Sequence, residues 1–396
     1  MGKATKILVD IVRFAVGVLF IFSGMIKLVD PLGTAYKLEE YFEVFRLPEF
    51  FNNLSLFLSI AFSSAEVSLG VALIVGWMPT LTTIALLGLI IFFTFLTGYS
   101  AITGAVTDCG CFGDFIKLTP WQSFYKDIVL TVLILFLFIN RKHISPGGKV
   151  ATVLTGIATV FAVLFGIWNY LTLPLIDFRP YKAGNNIWEL MQVPPGAPQD
   201  VYETILVYRN KQTGDVVEMT SSEFVSRYQE FQDTTVWEFV SSESKLVQKG
   251  YTPPIHDFVL LDSSGNDVTA EVLNQSGTYL FVIVYPSRFS ERGLKEVVEE
   301  LKDSELPVFV LTAFPSNEWE NIKQEVGVPA LWKTLYVDAT ALKTFIRSSP
   351  GVVLMNGPVV VDKWHWRTFS KEDLRESLSK IETIEPDHNS DLNTSV

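Results

Sequence analysis

The residues most able to do chemistry are the two cysteines of the chain. They stand one residue apart in Thr107-Asp108-Cys109-Gly110-Cys111-Phe112-Gly113-Asp114. Two thiols so placed close on each other only as a tight, strained ring, and strain makes a disulfide easy to exchange. Gly110 supplies the backbone freedom such a ring needs. Cys109 and Cys111 are therefore read as a redox-active dithiol, against the plainer alternative of a loop whose cysteines are structural or unpaired. Asp108 and Asp114 flank the pair, and negative charge disfavours a thiolate unless Lys117 or Lys27 lies close. A zinc site fits poorly, because it wants four N or S ligands and His143, His256, His365 and His388 are scattered.

A second candidate is Glu66, an acid in the middle of an apolar run. An ionisable group at that depth in a bilayer costs a few kcal/mol or more and so turns toward a bundle interior. It reads as a proton carrier, as a polar contact for a membrane quinone, or as a protonated acid hydrogen-bonded between helices. Lys27 and the Lys126-Asp127 pair stand nearer the span ends, where they are expected to snorkel. Gly17, Gly70 and Gly88 are read as sites of close helix packing.

These groups need apolar helices to hold them, and about 20 apolar residues cross about 30 Å of hydrocarbon. Five segments qualify: Ile7–Lys27, Leu54–Trp77, Leu81–Tyr99, Phe124–Asn140 and Val150–Leu173. The first is too long, and lacks the small-residue cleavage site, to be a signal peptide. Basic residues Lys3, Lys6, Arg141, Lys142 and Lys149 mark the cytoplasmic ends, while the loop with Asp30, Glu39, Glu40, Glu43 and Glu49 is acidic. The cysteine loop and everything after Asp177 then face the periplasm, where disulfides persist. The expected location is the bacterial inner membrane, with the lipid bilayer as one partner and a periplasmic client or redox protein as another.

The formal net charge is −12. Residues 1–174 hold 11 Lys or Arg against 10 Asp or Glu, so about −13 falls on the rest. So acidic a soluble half excludes nucleic acid as a partner, since phosphate binding relies on clustered Lys and Arg.

Two strings carry a resemblance. Phe22-Ser23-Gly24-Met25-Ile26-Lys27-Leu28-Val29-Asp30-Pro31 is similar to the F-S-G-x-x-K-x-x-D-P stretch of the DoxX/MauE-like family of small four-helix membrane proteins. The Asp108-Cys109-Gly110-Cys111-Phe112-Gly113 loop, and Glu66 with Gly70 and Gly76, resemble the same family over about residues 5–142. The resemblance implies redox work at a membrane: MauE-type members are linked to maturation of a disulfide-rich periplasmic enzyme of methylamine oxidation, and DoxX to a quinol oxidase. Taken whole, the chain resembles the longer, Bacteroidetes-type members with a fifth span and an extracytoplasmic domain.

After the spans, residues 178–250 suggest a small hairpin, with a strand Glu203–Arg209 and a turn at Thr213-Gly214-Asp215. From Tyr251 the pattern is a short strand Phe258–Asp262, a strand Tyr279–Tyr285, a helix Ser290–Lys302, a strand Val308–Thr312 and a helix Asn317–Val326. A strand Leu335–Asp338, a helix Leu342–Arg347, a hairpin Gly351–Trp364 and a helix from Lys371 complete it. This order resembles the thioredoxin-like fold. Ser349-Pro350 matches the cis-proline of that fold, but Ser287-Arg288-Phe289-Ser290 stands where its two thiols belong. Hydroxyls cannot exchange disulfides. Ser287, Ser290 and Pro350 are thus left as an edge that holds a client or caps the bundle; no base marks Ser287 as a hydrolytic nucleophile.

The expected architecture is a membrane α-helical bundle joined to a soluble α/β thioredoxin-like domain. Its parts are a four-helix core (1–145), a fifth span (146–177), a hairpin segment (178–250), the α/β domain (251–384) and a disordered tail (385–396). The expected function is a membrane redox helper working through Cys109 and Cys111, with a membrane quinone as the only cofactor in view. A non-catalytic scaffold whose α/β domain binds envelope partners is the alternative. A transporter comes third, since one buried acid and no visible inverted repeat support it.

Overall fold

The computed structural model describes residues 2–106 and 110–384. Thr107, Asp108, Cys109 and the tail 385–396 lie outside the described residues. The first half runs α1 (Gly2–Val29), α2 (Pro31–Val44), α3 (Phe50–Val75), α4 (Pro79–Thr103), α5 (Pro120–Ile139) and α6 (Gly148–Leu171). All but α2 are long and apolar enough to cross a membrane.

Local chemistry sets their ends. Thr119 and Gln122 form a reciprocal capping box at the start of α5, and α3 and α4 stop at Gly76 and Gly104, both in the left-handed region. Helices α1 and α3 pack backbone to backbone: a Cβ on Gly70 would lie 2.7 Å from the Gly17 carbonyl, and one on Gly24 2.6 Å from that of Ser63. Gly88 departs from its expected packing role, since it faces open space.

Helix α2 replaces what reads as an acidic loop. Asp30 caps it by accepting from the Gly33 N–H at 2.8 Å, Pro31 starts it, and Leu32, Ala35, Leu38 and Tyr41 bury one face. At 14 residues it is too short for a search tuned to membrane spans.

Residues 186–258 form a compact unit of their own. It holds α7 (Ile187–Met191), β1 (Val201–Asn210), β2 (Val216–Thr220), α8 (Ser221–Ser226), α9 (Tyr228–Phe231) and β3 (Trp237–Gln248). The sheet is antiparallel in the order β2-β1-β3, one strand more than the expected hairpin. Most of β3 is polar and exposed, so its sequence lacks the alternation that announces a strand. Aromatic rings of Tyr208, Phe224, Phe231 and Trp237 pack this unit together.

The remaining elements share a compact unit with the helix bundle. They are α10 (Thr269–Leu273), β4 (Thr278–Val284), α11 (Glu291–Leu301), β5 (Val308–Thr312), α12 (Ser316–Val326), β6 (Lys333–Tyr336), α13 (Ala339–Phe345), β7 (Gly351–Asn356), β8 (Val359–His365) and α14 (Lys371–Ile384). The sheet order is β6-β5-β4-β7-β8, parallel from β4 through β6 and antiparallel at β7 and β8. Alternation splits β4 between two cores. Leu280, Val282 and Val284 meet Leu294 and Val297 of α11 and Trp319 of α12, while Phe281 packs edge-on against Phe345 of α13.

The expected strand Phe258–Asp262 shrinks to single bridges at Leu261, because Asp262 turns the chain by accepting the N–H groups of Ser264 and Asn266. Residues 177–185 strap onto the α/β domain, with Asp177 paired to Arg179 and Lys363, Tyr181 stacked on Phe345, and the Gly184 N–H on the Val360 carbonyl. The compact units accordingly divide at 185/186 and 258/259.

Inside this domain His365 is 3% exposed and accepts the Arg367 N–H at Nδ1. Burial, with the Arg367 charge beside it, holds its imidazole down at about 3. Unfolded, it takes a proton near pH 6.5. The folded state therefore binds fewer protons between those values, and stability is lost as pH falls from 6.5 toward 3. The melting temperature of the detergent-solubilised protein should drop already between pH 6.5 and 5, above the carboxylate range, and His365→Gln should flatten that part of the curve. An unchanged slope in the variant would assign the loss to other groups.

Candidate functional site

Ser23 and Lys27 are four residues apart, so α1 presents them on one face, and Asp30 stands just past its end. Each holds a different part of the site. The Ser23 hydroxyl donates to the Cys111 carbonyl at 3.0 Å, tying the cysteine loop to α1. Lys27 pairs with Glu66 of α3 at 2.5 Å, both less than a tenth exposed. Asp30 caps α2 and meets Arg347 just beyond α13. Ser59 completes the junction by donating to the Pro31 carbonyl at 2.7 Å.

A second ion pair lies on α5. Lys126 meets Asp127 at 2.8 Å, Thr97 of α4 donates to the other carboxylate oxygen at 3.1 Å, and the ammonium stands 5.0 Å from the Phe112 ring. Lys27, Glu66, Lys126, Asp127 and Cys111 line one small cavity. Lys27 and the Lys126-Asp127 pair therefore turn inward and do not snorkel. Two opposite pairs cancel their charge locally, which is what makes burial inside the bundle tolerable. One atom stays outside this balance: Glu66 Oε2 has no hydrogen-bond partner among the described residues.

Cys111 is partly buried and has no disulfide partner among the described residues. Burial pushes its pKa up, with Lys126 pulling the other way. Gly110 and Gly113 sit in the left-handed region and shape the turn; a Cβ on Gly110 would press on the Lys37 stem at 3.2 Å. Asp114, read as a neighbour that discourages the thiolate, is instead paired with Arg347 at 3.2 Å. The expected partners Cys109 and Asp108 lie outside the described residues.

Ser287, Ser290 and Pro350 line neither of the cavities that Cys111 lines. The Ser290 hydroxyl caps α11 by accepting the Gly293 N–H at 3.0 Å, the Ser349-Pro350 bond is cis, and Pro350 is buried. This edge of the α/β domain faces the chain's own helices. Arg288 reaches Ser55 at 2.7 Å and Glu39 at 3.3 Å, and Arg347 bridges Asp30 at 2.8 Å and Asp114. Burial alone would raise the Asp30 pKa, but Arg347, Arg179 and the Gly33 N–H outweigh it and hold the carboxyl below its ordinary value. Of the two expectations for this edge, holding a client or capping the bundle, these contacts fit the second.

The Asp30–Arg347 pair escapes a sequence reading because its members stand 317 residues apart. The signal that was available is the spacing of Ser23 and Lys27 on one face of α1, with Asp30 just past its end.

Residues 5–140, about a third of the chain, match the family model described as Methylamine utilisation protein MauE. No curated protein matches the chain. The helix bundle is a MauE/DoxX-like membrane domain, followed by an α/β region.

Proposed function

We propose that this MauE-like membrane protein passes electrons by thiol–disulfide exchange at Cys109 and Cys111, between a polypeptide on the periplasmic side and an acceptor in the membrane. The supporting observation is the placement of Cys111 on a cavity walled by two ion pairs, of which the buried Lys27–Glu66 pair leaves Glu66 Oε2 free to take a proton. In exchange, a client dithiol attacks the Cys109–Cys111 disulfide through a mixed disulfide; the client becomes oxidised and both cysteines are left as thiols. Reoxidation of the pair releases two electrons and two protons, and Glu66 and Asp127 are the bases within the cavity.

The acceptor we favour is a membrane quinone. The lining of a neighbouring cavity carries groups that would meet one: Lys27 and Ser63 would supply donors, Phe62 and Phe93 apolar walls, and the Ser63 hydroxyl has no partner among the described residues. When bound, a quinone supplies a two-electron, two-proton acceptor. Lys27, Ser63 and the aromatic walls would orient it in that cavity, which Cys111 also lines. We read the α/β domain as thioredoxin-like from its strand order and the cis Ser349-Pro350 bond, with serines in place of thiols, and place it in the periplasm of an inner-membrane protein whose N-terminus is cytoplasmic.

Thiol trapping in intact cells tests this. A membrane-impermeant maleimide should label Cys109 and Cys111 only in part, with full labelling after reduction. Cys109→Ser and Cys111→Ser should each reach the membrane and each abolish client oxidation, one of them trapping a mixed disulfide. The scaffold alternative draws on the absence of cysteine from the α/β domain. It predicts that both serine variants behave as wild type while removal of the α/β domain abolishes function, and that pair of results would overturn the redox reading.

A further inference from the structure

A cleft of about 430 Å³ opens between α2, the cysteine loop and the α13 region. On the bundle side it is lined by Lys37, Gly110 and Lys117, and on the other by Thr340, Lys343 and Thr344. Of these, Lys343 also accepts from the docking residue Arg347 through its carbonyl. Thr34, Lys37 and Gly110 line both this cleft and the smaller cavity that reaches Cys111 and Ser63. The two spaces therefore meet at the Lys37 stem, which lies against Gly110.

Two further atoms mark this route. The Thr34 and Ser63 hydroxyls are buried without a hydrogen-bond partner among the described residues, and Ser63 is 1% exposed. Buried hydroxyls are rarely left so unless a ligand or water completes them. The lining also bears on what enters. Carboxylates of Asp30, Glu39, Glu40, Glu43 and Asp114 offset the nearby cations, of which Lys37 is already paired with Glu40 and Arg347 with Asp30 and Asp114. No surplus positive charge remains to hold a small anionic thiol. Threonine hydroxyls and ammonium groups on the lip suit backbone carbonyls of an extended segment.

We infer that this cleft is the entrance by which a cysteine in an extended, uncharged or basic polypeptide segment reaches Cys111, with α13 as one wall and Lys37 as the gate. The inference rests on the redox reading above for its purpose, but not for its geometry. It places client recognition along α13 instead of at the cis-proline edge.

The test uses the full chain in membrane vesicles, carrying Cys109→Ser so that Cys111 alone reports. Labelling is followed with N-ethylmaleimide and with a neutral eight-residue peptide bearing a maleimide. Thr344→Trp and, separately, Thr340→Trp should slow the peptide reagent by about tenfold, equivalent to roughly 1.4 kcal/mol of lost access, and leave N-ethylmaleimide nearly unchanged. Lys37→Ala should speed both reagents. If neither tryptophan slows the peptide reagent, or if Lys37→Ala leaves both rates unchanged, the entrance lies elsewhere. A maleimide attached to an acidic tripeptide that labels faster than the neutral peptide would also overturn the inference, in favour of a small anionic thiol. Labelling requires no redox cycle, so these rates decide the cleft even where trapping in cells decides against the redox function.

Discussion

Arg347→Met is expected to free the α/β domain from the helix bundle and to cost about 3–5 kcal/mol, the loss typical of removing one partner from a buried charge cluster. Arg347 is 7% exposed, and its guanidinium is shared by Asp30, Asp114 and the Lys343 carbonyl, with the Tyr36 ring 5.5 Å away. Methionine fills much of the volume but leaves two carboxylates without their cation. Asp30 also caps α2, so the damage spreads to the helix that lines the cleft. Limited proteolysis should cut the detergent-solubilised variant faster than wild type between residues 171 and 187, and Cys111 should label faster because Asp114 no longer anchors its loop. Arg347→Lys should recover only part of the stability, since a point charge cannot serve both carboxylates as a planar fork does. Wild-type proteolysis in the methionine variant would mean that the docking carries little energy.

The second large effect is expected at the pair inside the membrane. Lys27→Met strands the Glu66 carboxylate among apolar side chains, and a loss of about 3–5 kcal/mol is again expected, seen as a lower melting temperature and poor membrane yield. The double variant Lys27→Met with Glu66→Leu removes both charges and should restore most of the stability, because a buried pair offsets little beyond its own desolvation. Client oxidation should stay lost in the double variant, since the free Glu66 oxygen beside the thiol is gone. If the double variant is both stable and active, the pair serves packing alone and the proton role assigned to Glu66 falls.

The sequence by itself determined the parts that depend on local pattern. Run length and apolar content announced five spans, and those spans are helices within a few residues of the expected ends. A short apolar run placed β5 at Val308–Thr312, and turn residues placed the hairpin of β7 and β8 at Asn356-Gly357. The two motif strings pointed to the family model that matches residues 5–140. Helix α2 and strand β3 were illegible for the opposite reason: one is short with three glutamates among its fourteen residues, the other polar on an exposed sheet, and both owe their form to neighbours supplied by the fold.

Only the tertiary structure decided which charges meet. Lys27 and Glu66 are 39 residues apart, and Arg347 and Asp30 are 317 apart, so no periodicity relates them. Ionisable groups near a span end are free to reach for water until a partner of opposite sign is brought alongside; burial then becomes tolerable and the side chain turns inward. The same holds for the serine and cis-proline edge of the α/β domain. Its residue types foretold that it would not exchange disulfides, whereas its docking onto α2 and α3 depends on Arg288 and Arg347 finding Glu39, Ser55, Asp30 and Asp114 after the chain has folded.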